Sequence, residues 1–307
     1  MILANPVVNQ VLDHPLLESK GVELAIKRLD LIHPTVSGNK FFKLKYNLEA
    51  AKKSGSKKIL TFGGAYSNHI YSTAAAAFQE GLESIGIIRG ERIEPLNPTL
   101  SFAENHHMQL EFISRGEFRK KDQPSFIEGL REQFGDFYLI PEGGTNATAI
   151  QGTSEILDKE DSYFSHIVCA IGTGGTFAGL ANTLLEHQQL WGISSLKGEF
   201  IHQEIKNLLC NFSISPKGIY KIFSKYHFGG YAAYRQDLID FIWSFYENFG
   251  MVLDPIYTGK LFFAVWDLIS KDQFEKGSKI LLIHSGGLQG NEGFAERTGI
   301  RLPNSSK

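Results

Sequence analysis

The chain has 307 residues, 42% hydrophobic and 21% charged, an ordinary globular balance with material for about two domains. A net charge of −2 gives no electrostatic reason to bind a nucleic-acid backbone or an anionic membrane surface, and no apolar run approaches the roughly 18 residues of a membrane span. The two cysteines, Cys169 and Cys210, lack CxxC spacing, so a reduced, cytoplasmic setting without a structural disulfide is expected.

In chain order, the first segment, MILANPVVNQVLDHP, is mildly apolar, lacks a basic leader and is broken by Asn5-Pro6 and Asp13, so it does not read as a signal peptide. KKILTFGG (57–64) reads as a strand ending in a glycine pair, and SNHIYSTAAAAFQEG (67–81) as a helix opened by Ser67 or Asn68 and stopped by Gly81. ESIGIIRG (83–90) is the next strand, NPTLSFAENHHM (97–108) a helix with Pro98 in its first turn, and QLEFIS (109–114) a further strand. FRKKDQP (118–124) reads as a solvated loop, and the adjacent His106 and His107 as surface residues that do not have metal-ligand spacing. DFYLIPEGG (136–144) is a strand with another glycine pair, followed by a helix from ATAIQGTSEIL (147–157). SHIVCAIGTGGTFAGLANTLLEH (165–187) runs strand, glycine-rich turn, helix, and LWGISSLKG (190–198) returns to strand. RQDLIDFIWSFYENFG (235–250) has amphipathic helical spacing, and SKILLIHSGG (278–287) is a continuous apolar strand. Alternating strands and helices predict a parallel α/β sheet with its sites at the carboxyl ends of the strands, where the glycine turns fall.

AIGTGGTFAGL (170–180) is the strongest local signal: Gly172, Gly174 and Gly175 let backbone amides approach an anion, Thr173 and Thr176 add hydroxyls, and a helix N-terminus follows. A third glycine of GxGxxG would fall on Phe177 and no Gly-Lys-Ser/Thr follows, so a single phosphate fits better than a dinucleotide or a Walker loop, while a packing turn is the alternative. Lys40 follows the Ser37-Gly38-Asn39 turn and precedes Phe41 and Phe42; apolar walls and the cations Lys43 and Lys45 would favour its neutral, nucleophilic amine. On the residues alone, three solvated lysines at a helix start explain the stretch better. Ser67, Asn68 and His69 could present donors to a ring or carboxylate, or Ser67 or Asn68 could simply cap the helix. HFGGYAAY (227–234) and LDPIYTGK (253–260) place tyrosines beside turns, where a hydroxyl can orient a carboxylate or relay a proton, although a half-buried core tyrosine is the better reading of either alone.

HPTVSGNKFFKL, GGAYSNH, NPTL, PEGGTN, GTGGTFAGL, GGY, DPIYTGK and HSGG stand in that order. In that order the sequence resembles the pyridoxal-phosphate enzymes of the tryptophan-synthase-β fold (fold type II). Within them it resembles the 1-aminocyclopropane-1-carboxylate deaminase and D-cysteine desulfhydrase family, from about residue 23 to residue 295. The resemblance implies Lys40 as the lysine that binds the cofactor aldehyde, Asn68 at the pyridoxal 3′-oxygen, and Ser67 near the substrate carboxylate and its proton transfers. It implies Gly172, Thr173, Gly174, Gly175 and Thr176 as the phosphate cup, Tyr231 and Tyr257 as substrate-side tyrosines, and no metal.

Departures from the family pattern sharpen the reading. The deaminases carry Glu where this chain has Thr258, and Leu where it has Ser285; the desulfhydrases carry small hydroxyl residues at both. An acid beside the pyridine nitrogen makes a stronger electron sink, so Thr258 and Ser285 favour β-elimination of a good leaving group over ring opening. Phe42 replaces a usual Arg, and Leu29 an acidic residue, which suggests an unusual substrate preference. The expectation is two three-layer parallel-sheet domains, residues 1–42 with 148–307 and an inserted 43–147, with the cofactor between them. The expected activity is D-cysteine desulfhydrase-like elimination by a homodimer. The alternatives are 1-aminocyclopropane-1-carboxylate deamination, racemisation or dehydration, and cofactor binding without turnover.

Overall fold

Apolar runs that do not alternate with polar residues require a sheet covered on both faces. The clearest run is KILLI, where Ile280, Leu281, Leu282 and Ile283 are all fully buried. The computed structural model, which describes residues 2–303, places it at the centre of a six-stranded sheet.

The strands are β1 (Asn9–Leu12), β2 (Glu23–Lys27), β3 (Lys58–Gly64), β4 (Glu83–Arg89), β5 (Met108–Ile113), β6 (Tyr138–Ile140), β7 (His166–Ile171), β8 (Gln189–Ser194), β9 (Ile219–Phe223) and β10 (Lys279–Ile283). The larger sheet has the order β1-β2-β10-β7-β8-β9, parallel except for β1, which runs antiparallel to β2. The smaller has the order β5-β4-β3-β6 and is parallel throughout.

Each sheet is the middle of three layers. On one face of the larger sheet Leu24, Ile26, Val168, Ile280 and Leu282 pack with residues of the helices Gln236–Phe249 and Thr258–Ser270. On the other, Ala25, Ile167, Cys169, Leu281 and Ile283 pack with the helices Gly175–Thr183 and Phe200–Asn211. Each fully buried Leu or Ile contributes on the order of 1.5–3 kcal/mol relative to exposure. In the smaller sheet Leu60, Phe62, Ile85 and Ile87 face a cluster with Leu130 of the helix Pro124–Phe134, and Ile59 packs on the opposite side with Ala75–Ala77 and Leu48.

The sequence expectations for strands and helices differ from the structure mainly at their ends. The strand expected over 136–144 is only Tyr138–Ile140, because Pro141 stops it and a short 3-10 turn Glu142–Gly144 follows. The strand expected over 190–198 ends at Ser194. The strands β1, β2 and β9 and the helices Pro124–Phe134, Phe200–Asn211 and Thr258–Ser270 have no counterpart among the sequence expectations. The helix Asn39–Lys53 starts immediately before Lys40 and runs unbroken through residues 42 and 43.

Candidate active site

Parallel strands present their carboxyl ends on one side, and the ends of β3, β4, β7 and β10 all open onto one cavity of about 810 Å³. Its lining includes Lys40, Ser67, Asn68, Gly172, Thr173, Gly174, Gly175, Thr176, Tyr231, Tyr257 and Ser285. Residues more than 200 positions apart, such as Lys40 and Ser285, thus meet at one place.

Lys40 stands in the first turn of its helix. The chain reaches it through Gly38, at φ 65°, and a Cβ there would lie 1.9 Å from the Ser285 carbonyl oxygen. Only glycine permits this approach, and the Asn39 amide then donates to that same carbonyl at 3.2 Å. Burial pushes the Lys40 amine down to about 8. The apolar wall expected from Phe41 and Phe42 is absent from the cavity: those rings meet edge to face at 5.7 Å on the core side of the helix. Lys45 also points elsewhere, paired with Glu155 at 2.6 Å.

Lys43, one turn on, is the residue whose role the sequence did not disclose. It is 2% exposed, and its Nζ donates to the Gly143 carbonyl at 2.8 Å and lies 3.3 and 3.4 Å from the hydroxyls of Thr145 and Thr173. Burial, then the charge of Lys40, holds its amine well below the ordinary lysine range. It has oxygen partners but no carboxylate, directly under the glycine loop: a Cβ on Gly175 would be 3.0 Å from its nitrogen. The helix Gly175–Thr183 begins there without a side-chain cap, leaving its first amides to an anion. Asn39 Nδ2 donates to Thr176 Oγ1 at 2.8 Å and ties the loop to the lysine helix.

Ser67 both caps and lines. Its hydroxyl accepts from the amides of His69 and Ile70 at 3.2 and 3.3 Å, opening the helix Asn68–Gln79 towards the cavity. The Asn68 side chain accepts from Gln289 and lies against Gly287, where a Cβ would come within 2.2 Å of its amide nitrogen. His69, 2% exposed, meets Thr61 Oγ1 at 2.9 Å, and burial together with Lys40 and Lys43 pushes its imidazole well below the usual range.

Opposite, the rings of Tyr231 and Tyr257 lie 6.2 Å apart. Burial raises both phenols above their ordinary range, Tyr257 well above it, so both are protonated at neutral pH. Thr258 departs from expectation. It is fully buried and outside the cavity lining, and its hydroxyl donates to Asp254 Oδ2 at 2.6 Å while accepting from the Asp254 amide at 2.8 Å. Asp254 thus engages the Thr258 hydroxyl from both its amide and its carboxylate, so of the two positions expected to meet a ring nitrogen only Ser285 lines the cavity.

The two other departures also lie away from the chemistry. Phe42 and Leu29 belong to one apolar cluster and neither lines the cavity, so an expected Arg and an expected acid have both given way to core side chains. Among the described residues no three His, Cys, Asp or Glu side chains gather to hold a metal ion.

A near-neutral lysine, a buried lysine lacking a carboxylate and an uncapped helix start beside it fit an aldehyde that carries a phosphate. The pyridoxal-phosphate dependent enzyme family matches residues 9–286. The chain belongs to that family. A Pyrococcus horikoshii protein provisionally named a 1-aminocyclopropane-1-carboxylate deaminase is 30% identical over 294 residues, covering 90% of this chain and 88% of its own. A D-cysteine desulfhydrase from Serratia proteamaculans is 27% identical over 299 residues, covering 87% of each. The solved structure of a 1-aminocyclopropane-1-carboxylate deaminase homologue superimposes with a TM-score of 0.83 at 28% identity, covering 97% of this chain and 94% of that one. The enzyme therefore has the fold-type-II α/β architecture and uses pyridoxal phosphate.

Proposed function

We propose that this enzyme eliminates the β-substituent of a small amino acid, with D-cysteine as substrate and pyruvate, ammonia and hydrogen sulfide as products. One observation carries the choice. Ser285 stands at the cavity end of β10, while the turn bearing Thr258 gives its carboxylate, Asp254, to its own backbone. A hydroxyl rather than an acid at that end suits a leaving group that departs readily, such as thiolate, better than the opening of a carbon ring.

Pyridoxal phosphate, when bound, supplies the electron sink for charge developing at the substrate α-carbon. In this reading Lys40 would hold its aldehyde carbon, Gly172–Thr176 with Lys43 its phosphate, Asn68 its 3′-oxygen and Ser285 its ring nitrogen. Thr258 takes no part in holding it. Ser67, at the positive end of the helix Asn68–Gln79, binds the substrate carboxylate through its hydroxyl proton, its oxygen being engaged by the His69 and Ile70 amides. Lys40 Nζ, whose amine titrates at about 8, takes the α-proton. Tyr231 and Tyr257, kept protonated, both line the cavity, where one Oη–H gives its proton to the departing sulfur. Water completes the balance: D-cysteine and one water give pyruvate, ammonia and hydrogen sulfide.

Ring opening of 1-aminocyclopropane-1-carboxylate is the second reading, favoured by the names of relatives that match nearly the whole chain. Offering D-cysteine, L-cysteine and 1-aminocyclopropane-1-carboxylate in parallel to cofactor-loaded protein decides between them. Pyruvate with sulfide from D-cysteine alone is expected. 2-Oxobutanoate from the cyclopropane would overturn the Ser285 argument, and no keto acid from any of the three would count against elimination altogether.

The same reading takes the chain as a homodimer with units 1–42 plus 148–307 and 43–147. It works in the cytoplasm, where the buried Cys169 and the exposed Cys210 stay as free thiols.

A further inference from the structure

The loop that carries Tyr231 is built unlike any other at the cavity. Phe228, Gly229, Gly230 and Ala232 all have positive φ, at 53°, 109°, 123° and 56°. A backbone in this conformation cannot form a regular ladder, so its polar groups need donors from elsewhere. Three bonds lie within the loop: the Gly230 amide donates to the His227 carbonyl at 3.0 Å, the Ala233 amide to the Gly230 carbonyl at 3.1 Å, and the Gly229 amide to the His227 ring at 2.8 Å. From outside the loop, Arg297 reaches the Ala232 carbonyl at 3.2 Å, and a second donor to the two loop carbonyls of His227 and Gly230 comes from Lys260, in the first turn of the helix Thr258–Ser270. Its side chain is fully buried, and its Nζ donates to the carbonyls of His227 at 2.9 Å and Gly230 at 2.8 Å.

A buried lysine is an expensive way to fill space, because an apolar side chain of that length would avoid desolvating the ammonium. The cost is visible: burial lowers its amine to about 8, against the opposing charge of Asp254. Asp254 is not its ion-pair partner in contact, since the carboxylate receives the amides of Ile256, Tyr257 and Thr258 and the Thr258 hydroxyl. The segment that opens this helix therefore holds both tyrosines, with Asp254, in the preceding turn, fixing the backbone of Tyr257 and Lys260, in the first helical turn, fixing the loop of Tyr231.

We propose that Lys260 is a positioning residue that pins the 227–230 backbone and so holds Tyr231 against Tyr257 in the cavity lining. The kinetic half of this inference rests on the reading of Tyr231 as a substrate-side group; the structural half does not.

The test compares wild type with Lys260→Met, which keeps the length and loses the donors, in cofactor-loaded full-length protein. Amide hydrogen exchange over residues 227–234 should accelerate roughly ten-fold or more, with exchange in the 172–176 loop and the cofactor absorbance unchanged. With D-cysteine, KM should rise more than kcat falls. The double variant Lys260→Met/Tyr231→Phe should be no worse than Tyr231→Phe alone, because Lys260 acts only through that tyrosine. Wild-type exchange in the loop would overturn the proposal, and so would fully additive kinetic losses. Lys260→Gln keeps two N–H donors on a shorter stem and should give an intermediate exchange rate; it serves if the Met variant fails to fold, and wild-type protection in it counts equally against the proposal. Exchange needs no turnover, so failure of the elimination chemistry still leaves the clamp tested.

Discussion

Two lysines three residues apart share one helix face and one low-dielectric site, yet their surroundings give them different work. Lys40 titrates at about 8, so the fraction able to attack an aldehyde rises as pH rises and falls about ten-fold per unit below that. The rate at which apoprotein regains the cofactor absorbance should follow this dependence between pH 6 and 9, and a flat profile would show that another group limits the step. Lys40→Ala should abolish both the imine absorbance and turnover; normal turnover in that variant would refute the assignment. Lys43 has only oxygen partners and sits under the loop. Lys43→Met should keep the fold and weaken cofactor affinity by roughly 10- to 100-fold, the worth of about 1.5–3 kcal/mol for a hydrogen bond to a charged group. Equilibrium dialysis of the cofactor would measure it. Nothing in the string NKFFKLKY separates the three lysines, since i, i+3 and i+5 spacing looks the same on a solvated helix. Which one is buried depends on the 143–145 turn and the glycine loop, each about 100 residues or more away.

At the scale of elements, the strand–glycine turn–helix units were legible because their signals are local: apolar runs for β3, β4, β7 and β10, and capping residues or glycines where the helices begin. What the sequence hid was orientation. Thr258 follows Tyr257 directly, but Asp254, four residues earlier, takes its hydroxyl and turns it from the cavity. The Phe41-Phe42 pair reads as a wall and is core. The helix Ala147–Thr153 is another case, because its glycine is a packing device. A Cβ on Gly152 would lie 1.9 Å from the Phe42 carbonyl oxygen, and on the far side a Cβ on Gly179 would lie 2.0 Å from Thr153 Oγ1. This short helix thus sets the spacing between the lysine helix and the helix of the phosphate loop. Gly152→Ala cannot be relieved by a rotamer change, because the obstacle is backbone. It should cost about 1–3 kcal/mol of stability by overpacking and should also weaken cofactor binding, by moving Lys40 and Lys43 relative to Gly172–Thr176. Unaltered cofactor affinity in a destabilised Gly152→Ala protein would mean the two helices do not set the site together.

Across the whole molecule, the larger sheet is closed near its antiparallel edge by a buried charge cluster far along the chain. Lys27, at the end of β2, is 3% exposed at its side chain and reaches Asp161 at 2.6 Å and Asp158 at 2.9 Å. Asp161, itself 1% exposed, also accepts from Asn9 of β1 at 2.8 Å and from the Asp158 amide at 2.9 Å. One carboxylate therefore joins β1, β2 and the turn before β7. Desolvating both charges offsets much of their attraction, so the pair adds less to stability than its distance suggests, while removing one partner strands the other. Asp161→Ala should lower stability by about 3–5 kcal/mol, towards the lower end because Asp158 remains beside the ammonium. The denaturation midpoint should fall with the slope unchanged. Lys27→Met/Asp161→Ala should recover part of that loss, since no uncompensated charge is left in the interior. None of these residues lines the cavity, so the cofactor affinity of the folded protein should stay at the wild-type value in both variants. A double variant as unstable as Asp161→Ala alone would show that the cost lies in the hydrogen bonds to Asn9 and Asp158 rather than in the stranded lysine.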